Sequence, residues 1–269
     1  MNQEQATEVK VFTRLLYEIQ KTRIEISNRL LAKEREGQII TKRMRSVYEH
    51  LETLEKKTEG VLKEIVDATP IWAQWMKDRK GIGAKMAGSL IAEILDISKF
   101  DTVSSLWAYF GLTSQYVLAE CDKGHKIIMA SDKHKTCPVL ESDTGERCGG
   151  IITIIERVEG KAPKRKRGYH YLFNSRGKTL AWKIGQQFLK QGEDVYRQIY
   201  YKQKQKEKQK NPDISDGHAH NRALRKMVKI FLSHLWVEWR TIESLPVREP
   251  YAMEYLGHTS KIVNQGARS

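Results

Sequence analysis

Cysteine is scarce in this 269-residue chain: there are three, an odd number. That argues against a disulfide framework and for a reducing compartment with metal ligation. Long apolar runs are missing as well. No stretch of about eighteen apolar residues occurs, which excludes a membrane-spanning helix. No basic-apolar-small leader opens the chain, so secretion is not expected and an intracellular, cytoplasmic protein is. Acidic residues are in deficit, 33 against 47 Lys and Arg, leaving a formal charge of +14 and a pI near 9.6. A polyanionic partner follows, nucleic acid before membrane. The excess is concentrated. Between Lys161 and Lys210 stand fifteen Lys and Arg against Glu193, Asp194 and Glu207, a net +12.

What is present begins with Trp72 to Leu112. Thr69 is a natural N-cap and Pro70 suits a first helical position. Trp72, Trp75 and Met76 recur at helical spacing, and the chain then breaks at Lys80-Gly81-Ile82-Gly83. A second helix restarts through Met86, Ala87, Leu90, Ile91 and Ile94. Two glycines around one apolar residue permit a tight turn and a close backbone approach. The first N–H groups of the second helix, at the positive end of its dipole, make an anion site flanked by Lys80 and Lys85. The expected element is a helix-hairpin-helix that grips nucleic-acid phosphate without reading bases. The plainer alternative is an ordinary glycine-containing turn between helices.

Upstream, apolar residues from Val9 fall at Phe12, Leu16, Ile19, Ile26 and Leu30, with Arg23 at the missing position. After Gly37 they resume at Ile40, Met44, Val47, Leu51, Leu54, Val61 and Ile65, interrupted by Thr58. These are heptad seams on two long helices. A two-helix hairpin has little core of its own, so a homodimer through this arm is expected, with packing on the rest of the chain as the alternative.

Downstream, Asp101-Thr102 caps a short helix. Three strands are expected at Gln115 to Ala119, His125 to Ala130 and the IITIIERV run. Cysteine and histidine punctuate them as in a zinc ribbon. Cys121-x3-His125 is one knuckle, and Cys137-Pro-x9-Cys148-Gly-Gly is a second, stretched by a loop. Together they form a Cys3His set of the closed, structural zinc type. His134 competes with His125 for the fourth place. Lys164, Arg165, Lys166 and Arg167 then open the basic span beside Tyr169, His170 and Tyr171, and Arg176 and Lys178 enter a helix with Leu180, Ile184 and Leu189 on its apolar face. Charge runs are usually solvated faces. This one adjoins a zinc module and continues into YYKQKQKEKQK, which favours phosphate tracking. A last helix follows with Asp216 as its cap. His218-x-His220 reads as a helix start before a metal site, and His234 as a core histidine.

The expected fold is mainly α. Residues 1–68 form a coiled-coil arm, 69–114 the helix-hairpin-helix region, 115–160 a zinc-ribbon-like β insertion, and 161–269 the basic segment and closing helices.

GIGAKMAGSLIAEILDISKF followed by SSLWAYFGLTS resembles the C-terminal half of insertion-sequence transposases of the 110/116/902 type. FNSRGKTLAWKI and RALRKMVKIFLSHLWVEWR resemble that family's later helices, so the likeness covers about Pro70 to Arg240. It implies a DNA partner, with RNA as a possible companion, and a role in transposition or recombination. Two family features have no counterpart in these residues: the RNase H-like domain with four metal-binding acids, and the Ser-Gly-Gly-like nucleophile motif. Ser114 and Ser131 are the nearest serines and lack that context. The catalytic residues are therefore unassigned. The alternatives are a non-catalytic architectural or junction-binding protein and a helix-hairpin-helix repair enzyme. The DGHAHNR stretch resembles the latter's signature only faintly, and at the wrong distance from Gly83.

Overall fold

A computed structural model describes residues 3–132, 134–141, 144–160, 166–191 and 195–247. Among them are eight α-helices and one four-stranded sheet, so the chain is mostly helical. No described helix is long and apolar enough to cross a membrane. The chain divides into two compact units, Met1–Ile97 and Ser98–Ser269. The glycine turn at Gly81 to Gly83 thus shares a unit with the N-terminal helices.

In the first unit, α1 (Gln3–Arg35) and α2 (Lys42–Asp67) run antiparallel. The Gln5 side chain donates to the Ala68 carbonyl at one end, and Arg45 pairs with Glu34 at the other. Then come α3 (Pro70–Gln74), a single 3-10 turn (Met76–Asp78) and α4 (Ala84–Ile94). Helix α4 buries Ala87, Leu90 and Ile91 against both long helices. Gly88 makes that approach possible, because a Cβ there would sit 3.1 Å from Leu62 and Val66. Thr69 holds the N-cap position of α3, but its hydroxyl donates back to the Val66 carbonyl at 2.7 Å.

The seam expected on α1 is buried at Val9, Leu16 and Ile19. On α2 the buried stripe is different: Glu55, Thr58, Leu62 and Val66. Met44, Val47, Leu54 and Val61 are exposed. Two overlapping stripes existed on this helix, and the polar one won at its centre. Glu55 is buried because Arg23 and Gln20 both donate to it, which satisfies a carboxylate that could not be buried alone. Thr58, the apparent interruption, donates to the Leu54 carbonyl at 2.8 Å and fits the interior.

The second unit is built on α8 (Asp216–Ile242), whose Leu224, Met227, Val228, Phe231, Leu235, Trp236 and Trp239 are all buried. Ser215, one residue before the expected Asp216, caps it by accepting from the His218 amide. The α7 helix (Val195–Lys210) lays Tyr196 and Tyr200 against α8 and leaves its Lys/Gln end in solvent. The Tyr196 and Tyr200 hydroxyls hydrogen-bond His234 and His220 at 2.9 and 2.8 Å, so both histidines are satisfied structurally. The α6 helix (Ser175–Lys190) packs Ile184 and Phe188 inward. Indole N–H groups tie α8 to the short α5 (Val103–Tyr109) and its approach: Trp107 donates to the Lys229 carbonyl and Trp236 to that of Phe100.

The sheet has the order β3-β1-β2-β4. Strands β1 (Gln115–Cys121), β2 (Lys126–Met129) and β3 (Ile152–Glu159) pair antiparallel, with a register shift at Leu118/Ala119. The fourth, β4 (Tyr169–Tyr171), pairs parallel to β2 and was not expected from the sequence. Three residues are too few to show a period, so only the partner strand defines it.

Candidate metal centre and basic segments

The centre begins with a tight hairpin. After β1 the chain turns through Asp122-Lys123-Gly124, with Gly124 at φ 84°. The Cys121 amide donates to the His125 carbonyl, and the His125 amide points at the Cys121 sulfur. A four-residue spacing thus brings a thiol and an imidazole to the same side of one turn. The second knuckle is another hairpin. Leu140 bridges Arg147, the Cys148 amide donates to the Val139 carbonyl, and the Gly149 amide donates to that of Cys137. Backbone pairing between the described residues on the two sides of the loop thus returns Cys148 to Cys137.

The two knuckles converge. Cys121, His125, Cys137 and Cys148 place one ligand atom each within 4.8 Å of one another. His125 Nδ1 lies 3.5 Å from Cys121 Sγ, 3.3 Å from Cys148 Sγ and 3.7 Å from Cys137 Sγ, and the Cys121 and Cys148 sulfurs are 3.9 Å apart. A tetrahedral ion with metal–sulfur bonds of about 2.3 Å and metal–nitrogen bonds of about 2.0 Å has edges of about 3.8 Å between sulfurs and about 3.5 Å between sulfur and nitrogen. The three sulfur–nitrogen edges and the Cys121–Cys148 edge match. They are far too long for a disulfide, and all three cysteines are free.

The electrostatics point the same way. Burial, followed by the neighbouring Cys148 and Cys121 thiols, pushes the Cys137 thiol up to about 12. Burial also acts upward on Cys121, but backbone amides of His125 and Lys123 outweigh it and bring that thiol to about 7. Three thiolates cannot share this volume without a cation to offset them. The four residues therefore fit a metal ion. His134 is exposed and lies outside the group, so the fourth ligand position is filled by His125.

The bracing of the second knuckle was not anticipated. Asp122 Oδ1 accepts the Ile151 amide at 3.0 Å, and the Lys123 ammonium donates to the Cys148 carbonyl at 2.8 Å. A Cβ on Gly150 would lie 2.3 Å from that same Asp122 oxygen. The Gly-Gly after Cys148 was the available signal. Gly149 has φ 66°, and Gly150 leaves room for the carboxylate.

The other expected site residues fall into separate units. In the first, Lys80 and Gly83 are exposed, Gly81 and Lys85 are half-buried, and Ile82 is in the core. Gly81 turns with φ 92°, and Gly83 caps α4 with φ −90° and no side-chain hydrogen bond. Nothing lies within 4 Å of a Cβ built on Gly83, so the start of α4 is open. In the second unit, Lys166, Arg167 and Arg176 are exposed and Lys178 is half-buried. Lys164 and Arg165 lie outside the described residues. Ser114 is exposed beside β1, with its carbonyl accepting the Gly160 amide.

Neither a protein-family model nor a curated protein matches this chain.

Proposed function

We propose that this chain is a transposase-like DNA-binding protein. In this reading it grips the phosphate backbone through a helix-hairpin-helix at Lys80 to Lys85 and through the basic segment. The observation that carries the reading is the α3–α4 turn. Gly81 takes a left-handed conformation, Ile82 anchors the loop in the core, and the α4 N-terminus opens outward past Gly83 between Lys80 and Lys85. Unpaired amides, a dipole and two ammonium groups at one exposed turn suit an oxyanion that arrives on a polymer. The transposase resemblance supplies the biological frame of transposition or recombination.

The metal in this proposal is zinc with a structural role. Three thiolates and one imidazole are its preferred donors, and the four positions leave none open for water or substrate. The arm of α1 and α2 is proposed to pair with a second copy as a coiled coil, because Met44, Val47, Leu54 and Val61 remain exposed at heptad spacing. A non-catalytic, junction-binding role is the second reading. It is favoured by the donor inventory: among the described residues, the Cys3His set is the only group of three or more His, Cys, Asp and Glu side chains that could hold an ion.

The test is binding to linear and branched DNA of unrelated sequences, with strand cleavage scored in parallel. Gly83→Ala is the clean variant, because its backbone and surroundings admit a Cβ without strain. Binding should weaken about equally on all sequences, with the thermal midpoint unchanged. Undiminished affinity would reduce the turn to a structural connection. Gly81→Ala is a poorer probe, since φ 92° would strain any side chain.

A further inference from the structure

A cavity of about 470 Å³ opens within the second unit between α6, α8 and the approach to β1. That volume lies within the range of about 300 to 1,000 Å³ usual for small-molecule sites. Leu224 and Val228 of α8 form an apolar floor, and Trp182 of α6 forms one wall. Trp182 is 54% exposed, whereas Trp75, Trp236 and Trp239 are buried. Lys178, Arg222 and Arg225 line the same space, and among the described residues no acidic side chain does.

The construction is specific. Helices α6 and α8 approach closely because Gly185 has no side chain, and a Cβ there would sit 2.8 Å from Leu224. At the other end Gly111 turns with φ 61°, and its carbonyl accepts the Tyr116 hydroxyl. The cations are held in place. Arg225 Nη1 donates to the Gly160 carbonyl at 2.6 Å, and Arg222 Nη1 bonds Glu207 at 2.9 Å. Each bond engages one nitrogen of a guanidinium that carries five N–H donors. The Lys178 ammonium sits 5.2 Å from the Phe173 ring centroid and 5.6 Å from that of Tyr116.

An apolar floor, an accessible indole and three fixed cations select a ligand that is planar and aromatic at one end and anionic at the other. A lone phosphate would leave the floor and indole unused, and a neutral aromatic would leave the cations unused. We propose that this cavity receives one unstacked nucleotide of a DNA strand. Its base would lie against Trp182, and its phosphate would face Arg222, Arg225 and Lys178. The proposal deepens the DNA-binding reading and rests on it for the identity of the strand. Aromatic stacking is sequence-tolerant because every base has a π-face, so no base preference is implied.

The test compares the full chain on a paired duplex and on the same duplex with one extra unpaired adenosine. The bulged duplex should bind about tenfold more tightly, the order expected for one base–aromatic stack. Trp182→Ala should remove that preference without changing affinity for the paired duplex, and Trp182→Phe should retain most of it. A wild-type chain with no preference, or a Trp182→Ala chain that keeps it, overturns the proposal. AMP is the second probe. Saturable quenching of tryptophan fluorescence that disappears in Trp182→Phe supports the nucleotide site. AMP binding without any bulge preference overturns the strand assignment in favour of a free nucleotide. Failure of every chain to bind paired duplex refutes the backbone-gripping reading instead, and the AMP titration then decides the cavity alone.

Discussion

Gly150 and Asp122 provide a sharp test of how the metal centre is held. Gly150→Ala places a Cβ 2.3 Å from Asp122 Oδ1, while its next contacts, Cys148 Sγ and Lys123 Cγ, stay at 3.4 Å. Gly150 is not among the positive-φ glycines, so alanine meets no backbone strain there. The clash is with the tip of a flexible side chain, and Asp122 can swing away. In doing so it gives up its hydrogen bond to the Ile151 amide. One such bond at an exposed site is worth about 0.5 to 1.5 kcal/mol, so metal affinity should fall by about two- to tenfold. Asp122→Ala removes the same bond directly and should cost about the same. Because both variants act through one interaction, their effects should not add. In an Asp122→Ala background, Gly150→Ala should change affinity by less than about twofold, giving a coupling energy close to the single-variant loss. Zinc competition against a chromophoric chelator reads all four corners of the cycle. Additive losses, or full affinity in Gly150→Ala, would refute the reasoning.

The basic span predicts a steep salt dependence of DNA binding. Neutralising Lys164, Arg165, Lys166 and Arg167 together should lower the log-log slope by roughly three to four, alike on unrelated sequences; an unchanged slope would make the run a solvated face. In the first unit, Arg23→Ala should cost about 1 to 3 kcal/mol in urea unfolding, below the value for a fully buried pair because Arg23 and Glu55 keep 24% and 12% of their exposure. Burial acts upward on the Glu55 carboxyl, but hydrogen bonds from Arg23 and Gln20 outweigh it and hold it below its ordinary value of 4.5. The pair therefore stabilises above that pH and is lost as pH falls through the folded-state value, a dependence that Arg23→Ala should abolish. Burial, then Arg225 and Lys226, brings the Lys229 ammonium down to about 8, and it sits 3.9 Å from the Trp107 ring centroid. Above that value the unfolded chain binds the extra proton, so stability should rise from about pH 8 towards 10.5, and Lys229→Met should flatten the rise.

The sequence by itself determined what depends on neighbours a few residues apart. The Cys121-x3-His125 spacing closes in a single turn, Thr102 caps α5 by accepting from the Ser105 amide, and the Gly81-x-Gly83 pair forms the turn from which α4 starts. Helical periods located the long elements, and the thiol count pointed to ligation. Tertiary structure decided every choice between locally equivalent options. Thr58 and Leu54 lie on adjacent stripes of α2, and only the partners offered by α1 and α4 buried the first and exposed the second. His125 and His134 have similar spacing to the thiols, but only His125 sits on the turn that faces Cys148. The cavity at Trp182 had one faint sequence signal, an indole off the apolar face of α6. Two of its three cations, Arg222 and Arg225, come from a helix some forty residues further on, and no local spacing could have joined them to Trp182. Burial is a property of pairs of surfaces, and a sequence read along one strand or one helix carries only half of each pair.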